Sequence, residues 1–171
     1  MAKRIFTSQG LTYTASAAGS VATTSGYMAL KGGAATQLID VLEVLVSGKA
    51  TASTVAAMNL ARASTLETTP TAIAAPHSDA GLFPNISAIT NVVVPFVAAA
   101  TQPTPSNTVT DAKLNLALNL FGGIVRWNAA PFQQWQIIGN TAPGGESVLW
   151  NSSTGGGSTG LADAHIIYEA Y

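Results

Sequence analysis

The stretch QLIDVLEVLVSGKATASTVAAMNLARAST, residues 37–65, decides the fold. Its first half holds the highest density of Val, Ile and Leu in the chain, and a Ser-Gly-Lys turn separates it from a milder, Ala-rich second half. The β-branched content is high and no helix cap precedes the run, which favours strands. We therefore predict a central antiparallel hairpin with Ser47, Gly48 and Lys49 near its bend.

Both faces of the first strand are apolar. If the run is extended, one face carries Leu38, Leu42, Val44 and Val46, and the other carries Ile39, Val41 and Leu45 together with Glu43. Such a strand is buried on both faces, or is buried on one and packed against a partner subunit on the other. A helix over residues 36–46 is the alternative, because four of these side chains also fit helical spacing.

Charged residues make up only 9% of this chain, against about 25% in a typical globular protein. Seven Lys and Arg nearly balance eight Asp and Glu, so the formal net charge is −1. A monomer with so little charge has little electrostatic protection against association, whereas the cores of protein interfaces are depleted of charge. The composition therefore predicts a subunit of an assembly, with an ordinary Ala- and Thr-rich soluble protein as the alternative.

The same composition argues against several functions. Basic residues are scattered, with only Lys3 and Arg4 near the N-terminus, so no basic arm is available for nucleic acid. The absence of Cys excludes disulfides, thiolate metal sites and a Cys nucleophile. The longest apolar run, residues 92–100, is far shorter than the ~20 residues of a membrane span, and no signal peptide is visible. We expect a protein made in the cytoplasm that binds neither nucleic acid nor membrane.

Short extended segments separated by turns fill the rest of the chain. The clearest alternation places Leu114, Leu116, Leu118 and Leu120 on one face of a strand. Gln9-Gly10 is a predicted turn, and further strands are predicted at residues 3–8, 11–15, 26–30, 86–99, 124–127, 134–138, 147–150 and 163–169. With eight to ten strands and no convincing helix, we predict one all-β domain over residues 1–171, an antiparallel, jelly-roll-like β-sandwich with long Pro-rich loops.

Two Pro-rich segments, residues 66–84 and 101–110, are predicted to be surface loops. Long connections in a compact domain are usually functional, so we expect these loops to reach a neighbouring subunit. The terminal strand, residues 162–171, is a further candidate, because it could pair with an exposed sheet edge of another chain. Pro95 lies inside a strand-like run and indicates an edge, a bulge or a strand that switches sheets.

No set of residues predicts an enzyme or a cofactor site. The His-Ser-Asp run at residues 77–79 lies in a turn-rich segment and lacks the spatial arrangement that a catalytic triad needs. Asp163, His165 and Glu169 share one face of the last strand, but two His in the whole chain are too few for a convincing zinc site. We therefore predict no catalytic, cofactor-binding or metal-binding residues, no cofactor and no enzymatic activity.

Aromatic side chains are concentrated in one quarter of the chain. They are Trp127, Phe132, Trp135 and Trp150. Aromatic residues on strands are most often anchors of a core or an interface. A platform that binds glycans is the alternative.

The chain resembles the small β-rich structural proteins of tailed bacteriophage virions, in particular head decoration (cement) proteins. The resemblance lies in the opening MAKRIF, the strand LEVLVSGKA and the ending GGGSTGLADAHIIYEAY, where a Gly-rich loop leads to a terminal strand with an acidic-aromatic end. It is a likeness of overall texture, and no functional residue is carried over. It implies a jelly-roll-like β-sandwich that binds capsid hexamers or their junctions, often as a trimer, and braces the shell.

We therefore expect a virion structural protein that stabilises a capsid shell as a decoration protein. Its partners would be the major capsid protein or other virion subunits and further copies of itself, with a trimer favoured, and its location would be the virion. The low basic content weighs against a coat subunit that contacts the genome. Two alternatives stay open: a minor coat, tail or spike subunit, and a carbohydrate- or receptor-binding module carried by Trp127, Trp135 and Trp150.

Overall fold

The computed structural model describes residues 4–14, 26–32, 34–53, 55–63, 65, 71–72, 94–98, 112–139, 146–151 and 161–170. These residues contain eleven strands and no helix, which confirms the all-β class. The strands are β1 (Arg4–Thr14), β2 (Gly26–Lys31), β3 (Leu38–Gly48), β4 (Val55–Arg62), β5 (Thr71–Ala72), β6 (Val94–Ala98), β7 (Ala112–Asn119), β8 (Ile124–Asn128), β9 (Trp135–Ile138), β10 (Glu146–Asn151) and β11 (Leu161–Ala170).

The strands form two antiparallel sheets. The first sheet has the order β1-β11-β3-β8, and β9 lies on the same side of β3 as β8, where it pairs with the other half of that strand. The second sheet has the order β5-β6-β2-β10-β4-β7. Buried apolar side chains from both sheets form one core cluster, with Leu30, Met58 and Leu60 from the second sheet and Ile39, Ile166 and Tyr168 from the first. The molecule is thus a β-sandwich, as predicted.

The strand pairing is nested along the chain. Strand β1 pairs with β11, β2 with β10, β3 with β8 and β9, and β4 with β7. A chain paired in this way is one long antiparallel ribbon, with β5 and β6 in its closed end. The ribbon is also wound on itself, because β11 pairs with β3 and β10 pairs with β4. The core therefore depends on contacts between residues that are far apart in sequence.

The predicted hairpin between the two halves of residues 37–65 is wrong. Both strands exist, and the helix alternative is excluded, but β3 lies in the first sheet and β4 lies in the second. The connection leaves β3 at Gly48, where an added Cβ would collide with the backbone of Leu120. The Gly48 N–H donates to the Gly123 carbonyl, and the Ala50 N–H donates to the Leu120 carbonyl, both at 2.8 Å. Close packing against the β7–β8 turn thus replaces the local pairing that a hairpin would make.

A β-bulge breaks the alternation of side chains along β3. The pairing of β3 with β11 skips Leu42, and the alternation reverses there. As a result, the fully buried residues of β3 are Ile39, Val41, Val44 and Val46. The opposite face is half-buried, with Leu38, Glu43 and Leu45. The predicted assignment of side chains to the two faces of this strand is therefore wrong on one side of the bulge.

The alternation predicted for the Leu-rich strand is confirmed in β7. Leu114, Leu118 and Leu120 are buried and Leu116 is partly buried, whereas the residues between them are exposed. The predicted turn at Gln9-Gly10 is wrong, because β1 runs through it with only a shift of register between Gly10 and Tyr13. A bulge keeps this strand continuous, and so β1 can pair with β11 along most of its length.

Pro95 lies inside β6, which is paired with β2 on one side and with β5 on the other. Strand β5 has two residues, and it pairs with Phe96 and Ala98 but not with Pro95. A Pro cannot donate to a ladder, so it is tolerated where the neighbouring strand does not reach it. The short β5, with a register shift beside it, fits the edge-and-bulge interpretation of this residue.

The expectation that the terminal strand pairs with another chain is wrong. Strand β11 lies between β1 and β3, and both of its edges are used in the first sheet. Its alternate residues Ala164, Ile166 and Tyr168 are buried in the core. In this position β11 is part of the core of its own subunit, and both of its edges are already paired.

Most of the predicted surface loops lie outside the described residues. Within residues 66–84, only β5 is described, at the outer edge of the second sheet. Residues 101–110 and the His-Ser-Asp run at residues 77–79 are also outside. In the part of the chain that is described, no helix has the length and hydropathy of a membrane span.

Candidate interaction surface

One edge of the first sheet is formed by β8 and β9. Among the described residues, both strands pair with β3 alone. The Gly123 carbonyl accepts from Gly48, and the Ala129 N–H donates to the Leu42 carbonyl, both at 2.8 Å, so odd-numbered residues point their backbone groups toward β3. Alternation then directs the N–H and C=O groups of residues 124, 126 and 128 away from the sheet. We call this row of outward groups the β8 edge.

A short loop interrupts this edge between β8 and β9. Ala129 bonds to Leu42, whereas Trp135 is already opposite Val41, so the five residues between them bulge out of the ladder. At the tip of the loop, Phe132 is 98% exposed. The exposed ring leaves apolar surface in contact with water. Burial of this surface against another molecule would be favourable.

The backbone of Phe132 is strained as well. Its φ is +64°, in the left-handed region that normally takes Gly. The Gln133 N–H donates to the Ala130 carbonyl at 2.9 Å, with Pro131 between them, so Phe132 occupies the turn position where type II turns require a positive φ. A side chain in this conformation costs roughly 1–2 kcal/mol. An exposed ring held at such a cost is a candidate for function.

A second group of exposed apolar side chains lies where β7 turns into β8. Phe121 and Ile124 are 59% and 69% exposed, and Val55, which is opposite the last residue of β7, is also exposed. The turn is held by side-chain bonds, since Asn119 Nδ2 donates to Ser53 Oγ at 2.8 Å and Asn119 Oδ1 accepts from the Phe121 N–H at 2.9 Å. We call Val55, Phe121 and Ile124 the end patch.

An ion pair lies on the outer face beside the β8 edge. Arg126 Nε donates to Glu43 Oε1 at 2.9 Å, and its Nη2 donates to Oε2 at 2.7 Å, which is a bidentate pair. The hydrogen bonds and the charge of Glu43 raise the pKa of Arg126. The charge on this edge strand is therefore balanced within its own subunit.

Two of the three Trp side chains face the core. Trp135 is 7% exposed, and the cationic groups of Arg62 and Lys113 lie 5.0 and 5.9 Å from its ring centroid. Trp127 is half-buried and packs against the core cluster. This confirms the interpretation of these two residues as core anchors. The side chain of Trp150 lies outside the described residues, although its backbone is in β10.

Asp163, His165 and Glu169 share the outer face of β11, as predicted, opposite Ser47, Leu45 and Asp40. In the described part of the chain, no group of three or more His, Cys, Asp or Glu could hold a metal ion. Asp163 is instead 3.4 Å from the amino group of Lys49.

Burial raises the pKa of the Tyr168 phenol, because an ionised phenolate would lose its hydration in the core. The fold therefore favours the neutral phenol, and stability must fall once the pH exceeds about 10, the pKa of Tyr in an unfolded chain. We expect the unfolding free energy to drop by about 1 kcal/mol more in the native protein than in Tyr168→Phe between pH 10 and 11. Urea titrations at both pH values measure this, and an equal drop in the two proteins would contradict it.

The sequence predicted functions for the Pro-rich loops and the Trp residues, but it did not predict the end patch or the exposure and positive φ of Phe132. A signal was present in Ala-Pro-Phe-Gln, where Pro favours a turn and a bulky residue occupies a position that favours Gly. It could not be recognised without the backbone angle. The exposure of Phe121 and Ile124 likewise depends on the tertiary structure, in which the β7–β8 turn lies at one end of the β8 edge.

No family model matches the chain. No curated protein matches it either. Among solved structures, the chain is similar to a chain of the structure of a marine algae virus of the order Picornavirales. The identity is 13%, the match covers 96% of this chain and 67% of that one, and the TM-score is 0.21. This virus belongs to a different group from the tailed bacteriophages of the expected resemblance.

Proposed function

We propose that this chain is a virion structural protein: a single jelly-roll domain that binds and stabilises a capsid shell as a decoration protein. The nested strand pairing carries the proposal. A jelly roll is a double-sheet sandwich of Greek keys, and viral capsid and lectin domains use it. The ribbon formed by β1/β11, β2/β10, β3/β8–β9 and β4/β7, wound into two sheets, supports the jelly-roll interpretation.

Two further observations support an assembled protein. Charged residues make up only 9% of the chain, and the formal net charge is −1. Large apolar side chains are exposed along the β8–β9 side of the sandwich, where Phe132 is 98% exposed. Surfaces with this character are typical of subunit contacts.

A decoration protein is favoured over a genome-contacting coat subunit, because seven Lys and Arg give little charge for phosphate. Its partners would be the major capsid protein or other virion subunits, and further copies of itself. The trimer that the resemblance implies competes with the two-fold contact inferred below, and the mass of the free protein in solution decides between them.

The glycan-binding alternative has less support. A sugar platform needs aromatic faces that a ligand can reach. Trp135 is 7% exposed and Trp127 packs against the core, so neither presents an open ring.

The test is to follow the protein in particles purified by density gradient from cells in which it is natively expressed. We expect it to sediment with intact particles at a fixed ratio to the shell subunit. Mild chaotrope should release it without dissolving the shell, and the purified protein should bind again to the stripped particles. Sedimentation only as a free protein would contradict the virion role, whereas release that always dissolves the shell would indicate a coat subunit.

A deletion of residues 69–81 tests the part played by the Pro-rich segment. It removes β5, the outermost strand of the second sheet, so the variant should keep its β-sheet circular dichroism and its cooperative unfolding. We expect it to lose rebinding to stripped particles. Loss of folding would show that this segment belongs to the core.

A further inference from the structure

We infer that the β8 edge is a contact between two copies of this chain, in which the β8 strands of the two copies pair antiparallel about a two-fold axis at Arg126. The inference goes beyond the virion role and does not depend on it. It begins from the outward backbone groups of residues 124, 126 and 128, which pair with no strand among the described residues. Such an edge is a template for another strand.

The register of this pairing follows from symmetry. If Arg126 lies opposite Arg126 of a second copy, residue 124 lies opposite residue 128, and all three outward-facing positions can exchange hydrogen bonds. The loop that follows residue 128 in one copy is then carried past residue 124 of the other. It arrives at the β7–β8 turn.

This places the exposed ring of one copy on the exposed patch of the other. Phe132 follows β8 at one end, and Phe121 and Ile124 of the end patch lie at its other end. Antiparallel pairing brings each Phe132 to the end patch of the second copy, and the two-fold axis makes the contact twice. A protruding group and an apolar patch at opposite ends of one edge strand are what a self-complementary contact needs.

The charges beside the β8 edge allow the β8 edges of two copies to pair. Two like-charged Arg side chains would repel across a two-fold axis, but each Arg126 is paired with Glu43 of its own subunit at 2.7 and 2.9 Å. The other two outward residues of β8, Ile124 and Asn128, are uncharged. Identical edges can therefore approach without uncompensated charge.

The molecule that binds the β8 edge is a second copy of this chain. Only a second copy presents the same exposed ring, the same end patch and a matching strand in the antiparallel direction. A different protein would have to supply a matching strand and a matching apolar group, and nothing in the described residues indicates one. A two-fold contact closes with two copies.

The first experiment uses a single introduced Cys, since the native chain has none. In a hydrogen-bonded antiparallel pair the opposed Cα atoms are about 5.5 Å apart, which suits a disulfide. We expect full-length Arg126→Cys to form a covalent dimer under mild oxidation. The control is Ile138→Cys, which is also exposed on this side of the sheet but lies beyond the contact, and which should stay uncrosslinked.

The second experiment measures mass in solution by sedimentation equilibrium over a concentration series. The native protein should reach a dimer. Phe132→Gly should weaken the dimer at least tenfold while folding normally, because Gly accepts the positive φ. Asn128→Pro removes an outward N–H without touching the ladder to β3, and it should weaken the dimer as well.

A native monomer at all concentrations would overturn the inference, and so would a trimer. A dimer that survives both Phe132→Gly and Asn128→Pro would place the contact elsewhere and would also overturn it. Equal crosslinking of Arg126→Cys and Ile138→Cys would show random collision instead of a defined register.

Discussion

Trp135→Ala is expected to lower the free energy of unfolding by about 3–5 kcal/mol, the range for removing a buried aromatic side chain. Trp135 is 7% exposed and lies opposite Val41 in the ladder between β9 and β3. Its ring also lies near the charged groups of Arg62 and Lys113, and each cation–π contact adds about 0.5–1 kcal/mol at an exposed site. The loss is large compared with a total stability of about 5–15 kcal/mol.

Urea unfolding followed by circular dichroism and by fluorescence measures this loss. The matched control is Ile138→Ala on the same strand, where the side chain is 58% exposed and the change should stay within about 0.5 kcal/mol. If Trp135 instead belonged to a glycan platform, its removal would leave stability nearly unchanged and abolish sugar binding. Stability near that of the native protein would therefore contradict the core role.

Ile166→Asn is expected to prevent stable folding, with a loss of about 4 kcal/mol or more. Ile166 is 1% exposed and lies in β11, at the centre of the first sheet between β1 and β3. The substitution removes buried apolar surface and places an amide where the neighbours are apolar side chains. Both effects lower the free energy of unfolding, and together they remove most of the stability of a small domain.

The next residue provides the control. Ile167 lies on the outer face of the same strand, opposite Glu43, and is half-buried. Ile167→Asn should cost about 1 kcal/mol, so the two neighbouring substitutions should differ by several kcal/mol. Thermal and urea unfolding of the two variants would show this difference, and similar losses in both would contradict the assignment of faces in β11.

Strand β11 and the edge strand that precedes the turn at Phe132 differ in whether they can pair with another subunit. A strand whose both edges are paired has no backbone groups to offer a neighbour, even though it is terminal in the sequence. A short edge strand in the middle of the chain does have them. The position of a segment in the sheet, and not its position in the chain, decides whether it can bind a partner.

Several features of this protein follow from the sequence alone. A period of two in residues 114–120, β-branched runs and frequent turn residues establish an all-β chain, and the low charge supports the proposal of an assembled one. These properties are local or compositional, because each depends on the directions of neighbouring side chains or on the number of residues of a given type. The inward-facing Leu residues of β7 were therefore predicted correctly.

The tertiary structure decided the partners of each strand. Strands β3 and β4 are neighbours in sequence, yet they belong to different sheets, and the bulge at Leu42 reverses the side-chain alternation within β3. Strand partners depend on which apolar faces meet across the sandwich, and every such contact joins distant residues. The positive φ of Phe132 likewise became visible only in the structure, where this residue takes the third position of the turn over residues 130–133. Long-range packing sets these features, and the local sequence does not encode it.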